Sequence, residues 1–104
     1  MLRLLILSSG LALSGVAASA ETDAQKAERC AEQGAIATRI VAARQDGAAA
    51  QEATSALTSA DSGVAARFRP TVAPLVEWIY SLPEAQLSAD IGAALEQQCM
   101  AFEQ

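Results

Sequence analysis

The feature that most constrains the fold is an amphipathic run from Asp23 to Arg44. When successive residues are placed about 100° apart around a helix, one arc of about 80° collects small and apolar side chains, namely Ala27, Cys30, Gly34, Ala37 and Val41. Charged side chains fall on the opposite side, namely Glu28, Glu32, Arg39 and Asp46. The run therefore predicts a long helix with one buried stripe, and the rest of the chain must pack against that stripe.

Gly34 lies in the middle of this stripe. A glycine inside a helix costs about 0.5–1 kcal/mol relative to alanine. Its presence indicates either the close approach of another backbone or simple tolerance in an alanine-rich helix, and the sequence leaves both open. Asp46-Gly47 predicts the end of the helix, because glycine suits the left-handed position after a helix C-terminus.

The first twenty residues have the pattern of a secretory signal peptide. Arg3 supplies the positive charge, residues 4–18 are mostly apolar, and Ala18-Ser19-Ala20 matches a small-x-small cleavage site. We expect cleavage after Ala20, which leaves residues 21–104 as a single domain; the alternative is an uncleaved N-terminal anchor. Abundant alanine and a preference for arginine over lysine are typical of GC-rich bacteria, so we expect a periplasmic or secreted bacterial protein.

Composition excludes several classes of function. The chain is acidic, with a formal net charge of −5 and no basic run that could follow a phosphate backbone, so we expect neither nucleic-acid binding nor attraction to anionic membranes. Histidine is absent, which removes the commonest general base and metal ligand and excludes Ser-His-Asp and Cys-His sites. Glu28 and Glu32 are the only close pair of carboxylates, and a solvated helix face explains them better than calcium binding or acid–base catalysis. We therefore expect no enzyme activity, no cofactor and no metal site.

The rest of the chain predicts shorter helices. Residues 48–60 predict a weakly anchored second helix whose one large apolar residue is Leu57. Residues 64–69 predict a helical turn that brings Phe68 inward, and Pro70 predicts a boundary after it. A third helix, capped by Thr71, follows with an apolar face of Val72, Leu75, Val76, Ile79 and Leu82.

The last helix is predicted to be capped by Ser88. Its apolar stripe contains Ile91, Leu95, Cys99 and Phe102. No segment alternates with a period of two, so no sheet is expected. The sequence therefore predicts an all-α fold, a small three-to-four-helix bundle.

Two cysteines lie on the apolar sides of the first and last predicted helices. An even count in an exported protein indicates one disulfide, Cys30–Cys99, with an intermolecular bridge as the rival. Closing a loop of roughly 70 residues is worth about 4 kcal/mol in the chain-entropy account. A small domain needs such a bond, because its core alone supplies little stability.

Three aromatic residues, Phe68, Trp78 and Tyr80, lie close together in the sequence. Core packing is the favoured interpretation. The alternative is a protein-docking surface formed by Phe68, Arg69, Trp78 and Tyr80, because aromatic residues beside arginine are typical of interface hot spots.

The positions Cys30, Ala37, Ile40, Ala43-Arg44-Gln45 and Gly47, followed by the late Cys99, resemble a recurrent plan. Small exported bacterial two-cysteine helical proteins of unassigned function share it, and the resemblance covers the first helix and the final cysteine. It implies no activity. The two-cysteine helical plan is also loosely similar to that of periplasmic acid-stress chaperones of the HdeA type.

These observations favour a protein-binding module, such as an envelope accessory protein or an inhibitor, that is a monomer or a weak homodimer. The alternative is a periplasmic stress holdase that exposes apolar surface when its carboxylates are protonated. We expect a protein partner and no membrane span after cleavage.

Overall fold

The computed structural model describes residues 20–102, so the predicted signal peptide lies outside the described residues except for Ala20. Within this range the chain forms four α-helices and two short 3₁₀ helices, and no strand. The helices are α1 (Asp23–Gln45), α2 (Ala50–Thr58), α3 (Val72–Ser81) and α4 (Ile91–Ala101). The 3₁₀ helices are Ala66–Thr71 and Glu84–Gln86. The predicted all-α bundle is confirmed.

Helix α1 is closed at both ends by local hydrogen bonds. At its start the backbone N–H of Gln25 donates to Thr22 Oγ1 (3.0 Å), and the Thr22 N–H donates to Gln25 Oε1 (2.9 Å), which is a capping box. At its end Gly47 has φ +87°, and its N–H donates to the Arg44 carbonyl (3.0 Å). The Ala48 N–H donates to the Ala43 carbonyl (2.9 Å), which completes a Schellman motif. The predicted helix end at Asp46-Gly47 is therefore confirmed.

The core forms where α2, the first 3₁₀ helix and α3 pack on one flank of α1. All its members are apolar, and no buried residue within 20–102 is polar or charged. Phe68, only 8 % exposed, is part of this core, as the sequence predicts. The buried residues are Ile36, Ala37, Ile40, Val41, Ala53, Leu57, Val64, Phe68, Val72, Val76 and Ile79.

Helix α4 packs on α1 at Gly34, and its Ile91 and Leu95 contact the edge of the core. A Cβ built at Gly92 would lie 2.0 Å from Thr38 Oγ1 and 2.5 Å from the Gly34 carbonyl oxygen. A Cβ built at Gly34 would lie 2.8 Å from the Gly92 carbonyl oxygen. Neither position can hold a side chain without displacing backbone, so Gly34 marks the close approach of a second backbone. Of the two interpretations that the sequence leaves open, close approach is confirmed.

The Cys30–Cys99 disulfide joins α1 to α4 within one chain. The two Sγ atoms lie 2.04 Å apart and the Cα atoms 5.5 Å apart, and residues 20–102 contain no free cysteine. Cys30 is fully buried. The predicted intramolecular pairing is confirmed.

The predicted boundary at Pro70 is wrong. Pro70 lies inside the first 3₁₀ helix, which continues directly into α3. A short 3₁₀ helix accepts proline where the missing N–H and the fixed φ cost little. Thr71 does not cap α3, because its hydroxyl donates to the Phe68 carbonyl (2.6 Å) instead.

Two predictions about α4 are also wrong. Ser88 does not cap this helix: its Oγ accepts from the Asp90 N–H (3.0 Å) in a local turn, and α4 begins at Ile91. Phe102 does not join the apolar stripe, because α4 ends at Ala101 and the extended Phe102 is 66 % exposed. None of the helices within the described range is long and apolar enough to cross a membrane.

Candidate protein-docking surface

Phe68 is held inside the fold. Arg67 covers its ring, with the guanidinium carbon 4.7 Å from the ring centroid, and Arg67 also forms an ion pair with Glu28 on α1. The buried phenyl ring therefore packs in the core and contributes little of its own area to any outer surface.

Tyr80 joins the end of α3 to the turn after α1. Its hydroxyl donates to the Ala48 carbonyl (2.6 Å), and the guanidinium carbon of Arg44 lies 5.7 Å from its ring centroid. Arg44 Nη1 also donates to the carbonyls of Ile79 (2.6 Å) and Leu82 (2.7 Å), where the partial negative charge of a helix C-terminus favours a cation. Burial raises the pKa of Tyr80, and the nearby Arg44 opposes that rise. Tyr80 and Arg44 thus fix the end of α3 in place.

Arg69 is half-buried, and its Nε donates to the Val64 carbonyl (3.3 Å). This hydrogen bond closes the loop that leads into the first 3₁₀ helix. The Arg69 guanidinium is therefore partly used by its own chain, although the docking surface predicted from the sequence would need it for a partner.

Of the three clustered aromatic residues, Trp78 is the one that faces outward. Its side chain is 43 % exposed, whereas Val76 and Ile79 on the inner face of the same helix are buried. The outer face of α3, as we use the term, consists of Ala73, Pro74, Glu77, Trp78 and Ser81, all of which are exposed. Core packing, favoured from sequence for all three aromatics, holds for Phe68 and Tyr80 but not for Trp78.

The four predicted surface residues therefore do not share one surface. Sequence proximity suggested the grouping, but helical spacing argues against it, because Trp78 and Tyr80 fall on opposite sides of the α3 stripe. Glu77 and Pro74 share the outer face of α3 with Trp78, and the sequence analysis did not single them out as site residues. The same spacing could have identified them, since both lie away from the apolar face.

A shallow depression lies beside the disulfide, between α1 and α4. Arg29 Nη1 lies 3.3 Å from Cys99 Sγ, and Arg29 Nε donates to Glu21 Oε1 (2.8 Å). The hydrogen bond from Arg29 holds the pKa of the Glu21 carboxyl below its usual value. The lining residues are Arg29, Gln33, Leu95, Gln98, Cys99 and Phe102. Arg29, the one charged residue in this lining, is thus already engaged by Glu21 and Cys99.

The described part of the chain contains no group of three or more Cys, Asp or Glu side chains arranged to hold a metal ion. Trp78 is an exposed aromatic residue on a helix whose end is fixed by Tyr80 and Arg44. Within the described residues, the other large exposed apolar side chains are Met100 and Phe102, at the C-terminal end of α4.

No protein-family model, no curated protein and no solved structure matches this chain. The resemblance to small exported two-cysteine proteins therefore stays a prediction.

Proposed function

We propose that this chain is a protein-binding module that docks on a protein partner through the outer face of α3. The observation that carries the proposal is the exposure of Trp78, the single tryptophan of the chain. It lies on the outer face of α3, a helix whose inner face is packed in the core. Tryptophan supplies a large apolar area together with one N–H donor, and it is enriched among residues that dominate binding energy.

The surroundings of Trp78 support docking by a preformed surface. Val72, Val76 and Ile79 bury the inner face of α3, and Arg44 and Tyr80 hold its C-terminal end. A rigid element loses little conformational freedom on binding, so more of the contact energy is available for affinity. Trp78 is thus presented on an element that need not reorganise.

Export to an oxidising compartment is part of the same proposal. The Cys30–Cys99 bond is of the kind that persists in the periplasm or outside the cell. Residues 1–20 have the signal-peptide pattern in the sequence. Intact-mass measurement of the exported protein tests this, with a species that begins at Glu21 expected.

The alternative, an acid-activated holdase, has less support in the fold. Such a chaperone needs carboxylates whose protonation unlocks the structure. Within residues 20–102 the only carboxylates in ion pairs are Glu21 and Glu28, both exposed, and no buried residue is charged. Exposed pairs contribute little to stability, so acid has little to release.

In-cell photo-crosslinking tests the docking proposal. A photoreactive phenylalanine analogue is placed at Ser81, on the outer face of α3, and in a matched variant at Ser55, an exposed serine of α2. We expect a discrete adduct with one envelope protein from position 81 and none from position 55. Adding Trp78→Ala should weaken the adduct while the circular dichroism spectrum is unchanged.

Two outcomes would contradict the proposal. One is the same adduct pattern from positions 81 and 55, which would indicate non-specific encounters. The other is an adduct at position 81 that survives Trp78→Ala in full, because the side chain that carries the proposal would then be dispensable.

A further inference from the structure

Every basic side chain within residues 20–102 is engaged by an acceptor of its own chain. Arg29 and Arg67 form ion pairs with Glu21 and Glu28. The others donate to backbone carbonyls: Lys26 to Phe102 (2.7 Å), Arg39 to Ser62 (2.8 Å), Arg44 to Ile79 and Leu82, and Arg69 to Val64. The cations therefore serve the fold, by joining α1 and the first 3₁₀ helix to their neighbours.

The acidic side chains are arranged differently. Apart from Glu21 and Glu28, none of the acidic residues in this range forms an ion pair. These unpaired residues are Asp23, Glu32, Asp46, Glu52, Asp61, Glu77, Glu84, Asp90 and Glu96. Because Asp and Glu also outnumber Lys and Arg, 12 to 7, the net charge that the protein presents to a partner is negative.

The outer face of α3 has the same excess of negative charge. Glu77 is adjacent to Trp78, both are exposed, and no residue of that face is basic. The arginines closest in sequence, Arg67 and Arg69, are turned towards Phe68, Glu28 and Val64. The face thus combines an open indole ring with an unpaired carboxylate.

We infer, on the basis of the proposed docking function, that the partner is a protein that presents a cationic segment to this face. An arginine or lysine of the partner lies over the indole of Trp78 and pairs with Glu77. Cations bind the face of tryptophan best among aromatic rings, and a planar guanidinium can also form a bidentate pair with a carboxylate.

Other kinds of partner fit the face less well. An acidic partner would place like charges together, with no free cation on this face to separate them. A purely apolar partner would remove water from Glu77 and leave its charge unpaired. A cationic partner satisfies both the ring and the carboxylate.

Peptide binding tests the inference on the oxidised domain. The probes are fluorescein-labelled Gly-Ser peptides that carry arginine, with lysine and glutamate versions of the same length. We expect saturable binding of the arginine peptide, weaker binding of the lysine peptide and none of the glutamate peptide. Trp78 emission should change in parallel, because it is the only tryptophan.

Variants then locate the binding site. Trp78→Ala and Glu77→Gln should each weaken arginine-peptide binding about two- to fivefold, as expected for an exposed cation–π contact and an exposed ion pair. Glu96→Gln is the matched control, since it removes the same charge from α4, which does not pack on α3. If Glu96→Gln weakens binding as much as Glu77→Gln, the attraction is a general one and the inference fails.

The crosslinked partner separates this inference from the docking function. Mass mapping of the adduct from position 81 should identify a partner segment that contains arginine or lysine. A discrete adduct to a segment without basic residues would overturn the cationic inference and leave docking intact. Absence of any adduct specific to position 81 would overturn the docking function itself.

Discussion

At the scale of single residues, the contact between α1 and α4 depends on the absence of two side chains. Gly34 and Gly92 face each other, and Thr38 fills the remaining space, with its hydroxyl donating to the Gly34 carbonyl (2.9 Å). Close packing of this kind responds to the addition of one methyl group. Adding a single methyl group at Gly92 should therefore lower the stability of the fold markedly.

We predict that Gly92→Ala lowers the free energy of unfolding by about 1–3 kcal/mol. The new Cβ would meet Thr38 Oγ1 and the Gly34 carbonyl oxygen, and this clash outweighs the higher helix propensity of alanine. Urea unfolding followed by circular dichroism measures the change. Adding Thr38→Ala should restore only part of the loss, because the carbonyl of Gly34 remains in place. An unchanged urea midpoint for Gly92→Ala would contradict the packing described here.

At the scale of helices, α4 differs from the others. Among the helices within residues 20–102, its Cα atoms come within 8 Å of those of α1 alone, whereas α2 and α3 also pack on each other. The Cys30–Cys99 bond joins α4 to the buried stripe of α1. The disulfide thus adds a covalent link to the packing of Ile91 and Leu95 that holds α4 in place.

We predict that reduction of the disulfide, or Cys30→Ser, lowers the free energy of unfolding by about 2–5 kcal/mol. Because the backbone of α4 approaches that of α1 alone among the described helices, its amides should lose hydrogen-exchange protection before those of α3 do. Exchange measured by mass spectrometry on the oxidised and reduced forms tests both statements, with Cys30→Ser/Cys99→Ser as the control for the reductant. Equal loss of protection in α3 and α4 would show that the domain opens as one unit.

At the scale of the whole molecule, the distribution of charge decides how the fold responds to acid. The Glu21 carboxyl has a lowered pKa because it accepts a hydrogen bond from Arg29. A carboxyl with a lowered pKa in the folded state stabilises that state above its unfolded pKa, and this contribution is lost as pH falls through the folded value.

We predict that the domain stays folded from neutral pH down to about pH 4.5, the region in which carboxyl groups begin to titrate. At neutral pH the wild-type protein should have a slightly higher unfolding temperature than Glu21→Gln. Below about pH 4.5 that difference should disappear, because the Glu21 carboxylate becomes protonated. Thermal unfolding of both proteins across this range measures the difference. Loss of the near-ultraviolet signal of Trp78 and Tyr80 above pH 4.5 would instead favour the acid-activated holdase.

The sequence alone determined the all-α fold class and the disulfide, whereas the compartment stays a prediction. Helical periodicity placed Cys30 on the buried stripe of α1, and the even cysteine count indicated its pairing with Cys99, which the structure confirms. The sequence was also sufficient to predict the end of α1 at Gly47. Glycine adopts the left-handed conformation that follows a helix C-terminus, and this preference depends only on neighbouring backbone atoms. Such features depend on short-range geometry, so they can be read without the fold.

Only the tertiary structure decided which aromatic residue is available to a partner. Phe68, Trp78 and Tyr80 are close in sequence, yet Phe68 is buried, Tyr80 is held by Ala48, and Trp78 alone is largely exposed. The acceptors of Arg44 and Arg69 were likewise invisible in the sequence, because a long side chain can reach carbonyls on any element that packs nearby. The exposure of a side chain and the partner that it binds depend on how the helices pack together, so they are decided only once the other helices have packed on α1.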